Sequence, residues 1–292
     1  MGRHRIPLLV TTFALVAMAA VPRAKTALPG DGANAASTPK AEGSAPDAPR
    51  ARRPARRGGC GPVPATLRRP PASLDVFYQQ YCDVGGFAVA GSAAVDPRAL
   101  EVAASRLRTM TSRLPSDVKR AMRDAGVRFT IMAQSEKTRD VPEFAHLRTT
   151  TAGIDVNHTR GVFTGRQAVA LSPEENMLCL DGDGYRGSDV FVHEFAHALH
   201  RKGFDAVRPR FDAQLETIFQ RAMRRGLWEG SYATTNRREY WAVGVQTWYG
   251  VNGWKSRYPV QTRAQLKRYD PELYTLIAGY LPASDLQLCT GG

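Results

Sequence analysis

No other five residues constrain this chain as strongly as His193-Glu194-Phe195-Ala196-His197. On a helix, histidines four apart stand one turn apart on one face, where both imidazoles can reach a single Zn2+ at about 2 Å. Glu194 stands roughly 100° round the same helix. From there a carboxylate can meet a water at the metal without becoming a ligand itself. That division of labour is hydrolytic: zinc acidifies the water and polarises a carbonyl, and the carboxylate carries the water's proton to the leaving amine. The flanks favour a helix. Ser188 and Asp189 offer a cap and an N-terminal carboxylate, and Phe191, Phe195 and Leu199 supply apolar contacts. The helix is predicted to run to about Lys202, with Gly203 as its stop. The competing reading is an ordinary amphipathic helix. Two of only 6 histidines falling at i and i+4 round a glutamate argue against it.

A catalytic zinc takes three protein ligands and keeps a fourth position open. The metzincin pattern would need a histidine at 203, where this chain has Gly203. His200 is seven residues from His193, about 10 Å along the helix axis; it is assigned a core or supporting place. The remaining candidate is Glu239, at the start of a helix predicted to follow Asn236. Spacing alone leaves Glu239 open, because Asn236-x-x-Glu239 is also a capping box, in which the glutamate bonds its own helix start.

The segment Ser231-Tyr232-Ala233-Thr234-Thr235-Asn236-Arg237-Arg238-Glu239-Tyr240-Trp241-Ala242 follows the histidine motif by about 35 residues. Together the two segments resemble the catalytic domain of anthrax lethal factor and the Pro-Pro endopeptidase group of gluzincins. The shared pattern is Tyr232, then Glu239, then Tyr240-Trp241 and Ala242, and the resemblance covers residues 188–249. It implies a zincin-like domain, Glu239 as third zinc ligand, and Tyr232 as hydrogen-bond donor to the oxyanion of a tetrahedral intermediate. One position departs from it. Family members often carry an acid four residues after the glutamate ligand, where this chain has Val243.

The formal charge of +13 invites a nucleic-acid reading, but residues 1–72 hold 12 Lys/Arg against 3 Asp/Glu. The basicity therefore belongs mainly to the tail, and no nucleic-acid partner is expected. Contact of the tail with anionic surfaces remains open. Residues 1–23 read as a signal peptide: Arg3 and Arg5, an apolar stretch too short to span a bilayer, then Ala17-Met18-Ala19. Residues 24–72, rich in Ala, Pro and Arg, read as a disordered linker or pro-segment. Four cysteines in an exported chain predict two disulfides, Cys60–Cys82 and Cys179–Cys289.

The body, 73–292, is predicted to begin with a short helix over 74–82. Strands follow over 87–91, 127–132 and 167–171, with helices from Asp96-Pro97, Ser116, Pro209, Asn236 and Pro271. Residues 136–165 stay unassigned. Strands early and helices late give α+β, a small β-sheet followed by a helical zinc-binding half. Asp181-Gly182-Asp183-Gly184 is read as a turn and not a calcium loop, since Val192 stands where the bidentate glutamate would be needed. Trp241, Trp248, Tyr249 and Trp254 are assigned to the core before an aromatic platform. The expected protein is secreted and monomeric, with one zinc and no membrane segment after signal cleavage. Its expected activity is endopeptidase action on protein or peptide. The alternatives are a catalytically silent binding module and an amidase acting on cell-wall peptide.

Overall fold

The computed structural model describes residues 16–17, 59–147, 150–151, 154–253 and 259–287. The expected signal peptide and linker fall mostly outside these residues, as do Trp254 and Cys289. The architecture is α+β. In chain order, short strands β1 (Val16–Ala17), β2 (Cys60–Pro62), β3 (Gln80–Val84) and β4 (Phe87–Gly91) precede helices α1 (Pro97–Thr111) and α2 (Ser116–Asp124). Then come β5 (Arg128–Met132), a small hairpin of β6 (Thr150–Thr151) and β7 (Ile154–Asp155), β8 (Val162–Thr164) and β9 (Val169–Pro173). The rest is helical: α3 (Glu174–Leu178), α4 (Val190–Ala198), a π-helical stretch (Leu199–Phe204), α5 (Asp205–Val207), α6 (Phe211–Arg224), α7 (Arg237–Trp248), α8 (Arg263–Tyr269) and α9 (Pro271–Ala278).

The main sheet runs β1-β8-β9-β5-β4-β3-β2. Strands β4, β5 and β9 are parallel to one another, and β8 turns back antiparallel on β9. Alternation along the strands serves two faces. Phe87, Val89, Phe129, Ile131 and Ala170 face the helices, and Ala90, Met132, Val169 and Leu171 face a smaller cluster with Tyr78 and Phe144. Helix α4 lies on the first face. Phe129 in the sheet meets Phe191 at 5.4 Å and Phe195 at 6.1 Å between ring centres. Burying each such ring contributes about 1.5–3 kcal/mol, so the motif helix is anchored by the residues interleaved with its histidines.

Four expectations change. Residues 74–82 do not form a helix. Leu74, Phe77, Tyr78 and Tyr81 repeat with a helical period, yet Gln80–Val84 pairs with β4 and Cys82 sits opposite Cys60 on β2. The Cys60–Cys82 disulfide joins these strands across a separation of 22 residues, a constraint on the order of 3 kcal/mol. Residues 59–72, assigned to the linker from composition, therefore include part of the folded body. Cys179 is also disulfide-bonded, and the pairing predicted for it falls on Cys289, outside the described residues.

Gly203 does not stop the motif helix, which continues through π geometry to Val207. The glycine answers a packing demand: a Cβ there would stand 2.9 Å from Val118 and 3.2 Å from Met122 of α2. The strand expected over 167–171 is shifted to Val169–Pro173, and α3 and α8 were not anticipated.

Candidate metal centre

One helix supplies two of the donors. His193 Nε2 and His197 Nε2 lie 3.0 Å apart, and both rings are buried. Helix α7 brings the third: Glu239 Oε2 is 3.0 Å from His193 Nε2 and 3.4 Å from His197 Nε2. Donors on a tetrahedral zinc with bonds of 2.0–2.1 Å stand roughly 3.3 Å apart, so these three atoms match one zinc ion in spacing.

Asn236 caps α7 by accepting from the backbone N–H groups of Arg238 at 2.9 Å and Glu239 at 3.2 Å. The Glu239 carboxylate is turned toward the histidines instead of back to its own helix start. Two further bonds hold α7 in register with α4. Trp241 Nε1 donates to the Ala196 carbonyl inside the motif, at 3.0 Å. Gln246 Nε2 donates to the Asp189 carbonyl and to Ser188 Oγ, both at 2.8 Å.

Gln246 also sets the tautomer of a neutral His193 ring. A carbonyl can only accept, so the amide end on Asp189 must be nitrogen, and the other end is oxygen. That oxygen, 3.1 Å from His193 Nδ1, must receive the Nδ1 proton. The neutral His193 ring then presents a bare lone pair at Nε2. Burial also holds His197 below its ordinary pKa, against the opposing pull of Glu239. Burial pushes the Glu239 carboxyl up, but the two imidazoles beside it, His197 first, outweigh that and hold it at about 2. Three potential ligand atoms thus converge within 3.4 Å of one another, an arrangement that one cation would satisfy. The donor set, two imidazoles and a carboxylate, suits zinc.

Glu194 is fully buried, and neither carboxylate oxygen has a hydrogen-bond partner among the described residues. Burial, with the Glu239 charge second, pushes its pKa well above the usual carboxylate range. A carboxylate with a strong appetite for a proton therefore stands beside the donors. Gly161 makes room for it at the start of β8: a Cβ there would stand 3.2 Å from Glu194 Oε1 and closer still to Val190. The Tyr232 ring lies 6.2 Å from that of His193 and packs with Tyr185 and Val190.

The Val243 side chain offers no hydrogen bond, and the support for His193 comes from the neutral amide of Gln246, seven residues after Glu239 and on the same helix face. Period alone could have singled it out. Nothing in the sequence marks Gly161, Tyr185 or the Trp241 crosslink. Partners of metal-binding histidines are worth 10- to 100-fold in affinity. The Gln246→Leu protein should bind zinc weaker by about that factor in a chelator competition. An unchanged constant would show that His193 needs no such support.

His200 lies apart from the donors. Its Nε2 is 3.1 Å from Asp212 and 3.4 Å from Asp205. Burial, only partly offset by Asp212, lowers its pKa from 6.5 to about 4. The unfolded chain takes a proton below pH 6.5 that the folded ring refuses until about 4. This contribution to stability is therefore full above 6.5 and drains as pH falls toward 4, by about 2 kcal/mol between pH 7 and 5. The His200→Gln protein should lose less stability than the wild type over that interval in denaturant unfolding, and parallel losses would refute the assignment.

The turn at Asp181-Gly182-Asp183-Gly184 orders the approach to α4. Asp183 accepts from Tyr185 N–H and Asn176 Nδ2, and Asn176 Oδ1 accepts from Val190 N–H. Trp241, Trp248 and Tyr249 are core residues.

No protein-family model matches this chain, and no curated protein matches it. Among solved structures, a Pro-Pro endopeptidase from Paenibacillus alvei aligns over 65% of this chain and 96% of its own length, at 18% identity and a TM-score of 0.46. A likeness of that size carries no weight on the chemistry of the centre.

Proposed function

We propose that this chain is an exported zinc-dependent endopeptidase. The observation that carries the reading is the convergence of three buried lone-pair donors beside the unpartnered carboxylate of Glu194. His193, His197 and Glu239 would hold the ion. Zinc, when bound, acidifies a water and polarises a peptide carbonyl. Glu194 takes the proton of the attacking water and delivers it to the leaving nitrogen, a task matched to its raised pKa. Tyr232, beside the His193 ring, donates to the developing oxyanion.

The edge strand β8 supports a peptide substrate. It runs from Gly161, against Glu194, along the motif helix, and its outer edge accepts the extended backbone of β1. Signal cleavage after residue 23 would remove β1 and leave that edge for another chain. Export also agrees with the disulfides. Among the described residues no helix is long and apolar enough to cross a membrane.

The test is cleavage profiling of the zinc-loaded protein on a peptide library, with metal analysis alongside. One zinc per chain and cleavage that a chelator stops and zinc restores are expected. A zinc-loaded protein that cuts no peptide would end the reading.

A further inference from the structure

Arg106 is the one charged side chain among the buried residues of α1, and nothing in the proposed chemistry uses it. It reaches across to the motif helix, where its Nη1 lies 3.1 Å from Asp189 Oδ2, and both residues are buried. The same nitrogen donates to Met177 Sδ of α3 at 3.1 Å, and Nη2 donates to the Gln287 carbonyl at 3.1 Å. Exchanging a buried ion pair for apolar groups is often neutral or stabilising, so stability alone does not account for one here. What distinguishes this pair is the residue it holds.

Asp189 is used in three ways. Oδ1 accepts from Val192 N–H at 3.0 Å and caps α4. Oδ2 faces Arg106. The backbone carbonyl accepts from Gln246 Nε2 at 2.8 Å, and that bond turns the Gln246 oxygen onto His193 Nδ1 at 3.1 Å. Polar contacts no longer than 3.1 Å thus run from α1 through Asp189 and Gln246 to the far nitrogen of His193. The near nitrogen of that ring faces His197 and Glu239. We propose that Arg106 is a positioning residue of the metal centre. By fixing the Asp189 carboxylate it holds the Asp189 carbonyl in place for Gln246, and so sets the tautomer and tilt of His193. It touches neither metal nor substrate. The inference rests on the zinc-centre reading, yet the two failures are distinguishable. A wild type that binds no zinc overturns both, whereas a zinc-binding wild type whose affinity ignores Arg106 overturns only this one.

The test is a double-mutant cycle on zinc affinity, read by chelator competition on the full-length chain. Arg106→Met removes the charge and keeps most of the stem. It should weaken zinc binding about tenfold, the lower end of what partners of ligating histidines are worth. In the Gln246→Leu background the link to His193 is already cut, so the same substitution should change affinity by less than about twofold. Asp189→Asn reaches the pair from the other side, keeping an oxygen for Val192 N–H while removing the charge, and should follow the same pattern. It also serves if Arg106→Met does not fold. A brace that serves the fold alone would lower the unfolding midpoint and leave the zinc constant untouched, or weaken zinc equally in both backgrounds. Either outcome overturns the assignment. Proton NMR of the zinc-loaded protein gives a second readout. The His193 Nδ1 proton, held by Gln246 in the wild type, should exchange with water faster in Arg106→Met, and an unchanged rate would count against the path.

Discussion

Glu194→Gln should leave zinc bound at its wild-type level and reduce peptide hydrolysis by a factor of about 10^2–10^4, the usual worth of a positioned general acid–base. The substitution is close to isosteric, so the helix and its packing on Phe129 should survive. It removes the one group in the site that can both take and return a proton. In the wild type both Glu194 oxygens are buried without a partner among the described residues, and burial, with Glu239 beside it, favours the protonated form. The amide has no proton to cycle. Thermal stability of the variant should equal or exceed that of the wild type, because burying an unpaired carboxylate opposes folding. Metal analysis and peptide turnover on the same sample make the comparison. Hydrolysis within a few-fold of wild type would mean that the water's proton leaves by another route.

Glu239→Ala should have the converse signature, a loss of metal. With one of three donors gone, two imidazoles remain, and bound zinc after dialysis should fall from one per chain to a small fraction. Zinc added to the wild type should raise its melting temperature by mass action, and this shift should be nearly absent in the variant. Asn236→Ala separates the two readings that the spacing left open. Its oxygen caps α7, so its loss costs about 1 kcal/mol of stability and leaves the zinc content intact. If Glu239→Ala instead keeps its zinc and loses only stability, Glu239 is a capping residue and the centre has another third ligand.

Much of the helical half is legible in the chain. Asp189 and Asn236 cap α4 and α7, Asp96-Pro97 opens α1, and Asp270 caps α9. Caps are local, so their residues show in sequence. The misread segments depend on distant partners. Leu74, Phe77, Tyr78 and Tyr81 carry a helical period, yet pairing with β4 and the disulfide to Cys60 make the end of that segment a strand. Gly203 looks like a helix stop because glycine often is one. Here it is demanded by Val118 and Met122, about eighty residues earlier in the chain.

The centre divides the same way. Sequence alone determined that His193 and His197 share a helix face with Glu194 one position round, because four residues make about one turn wherever the helix lies. Tertiary structure decided everything that crosses between helices. Glu239 faces the histidines because Trp241 and Gln246 fasten α7 to α4. His193 exposes a lone pair at Nε2 because the Asp189 carbonyl orients the amide that takes its Nδ1 proton. Glu194, without a hydrogen-bond partner among the described residues, sits in room that Gly161 leaves open from a distant strand. Spacing along a helix is a property of the backbone, whereas convergence between helices is a property of the packing that brings them together.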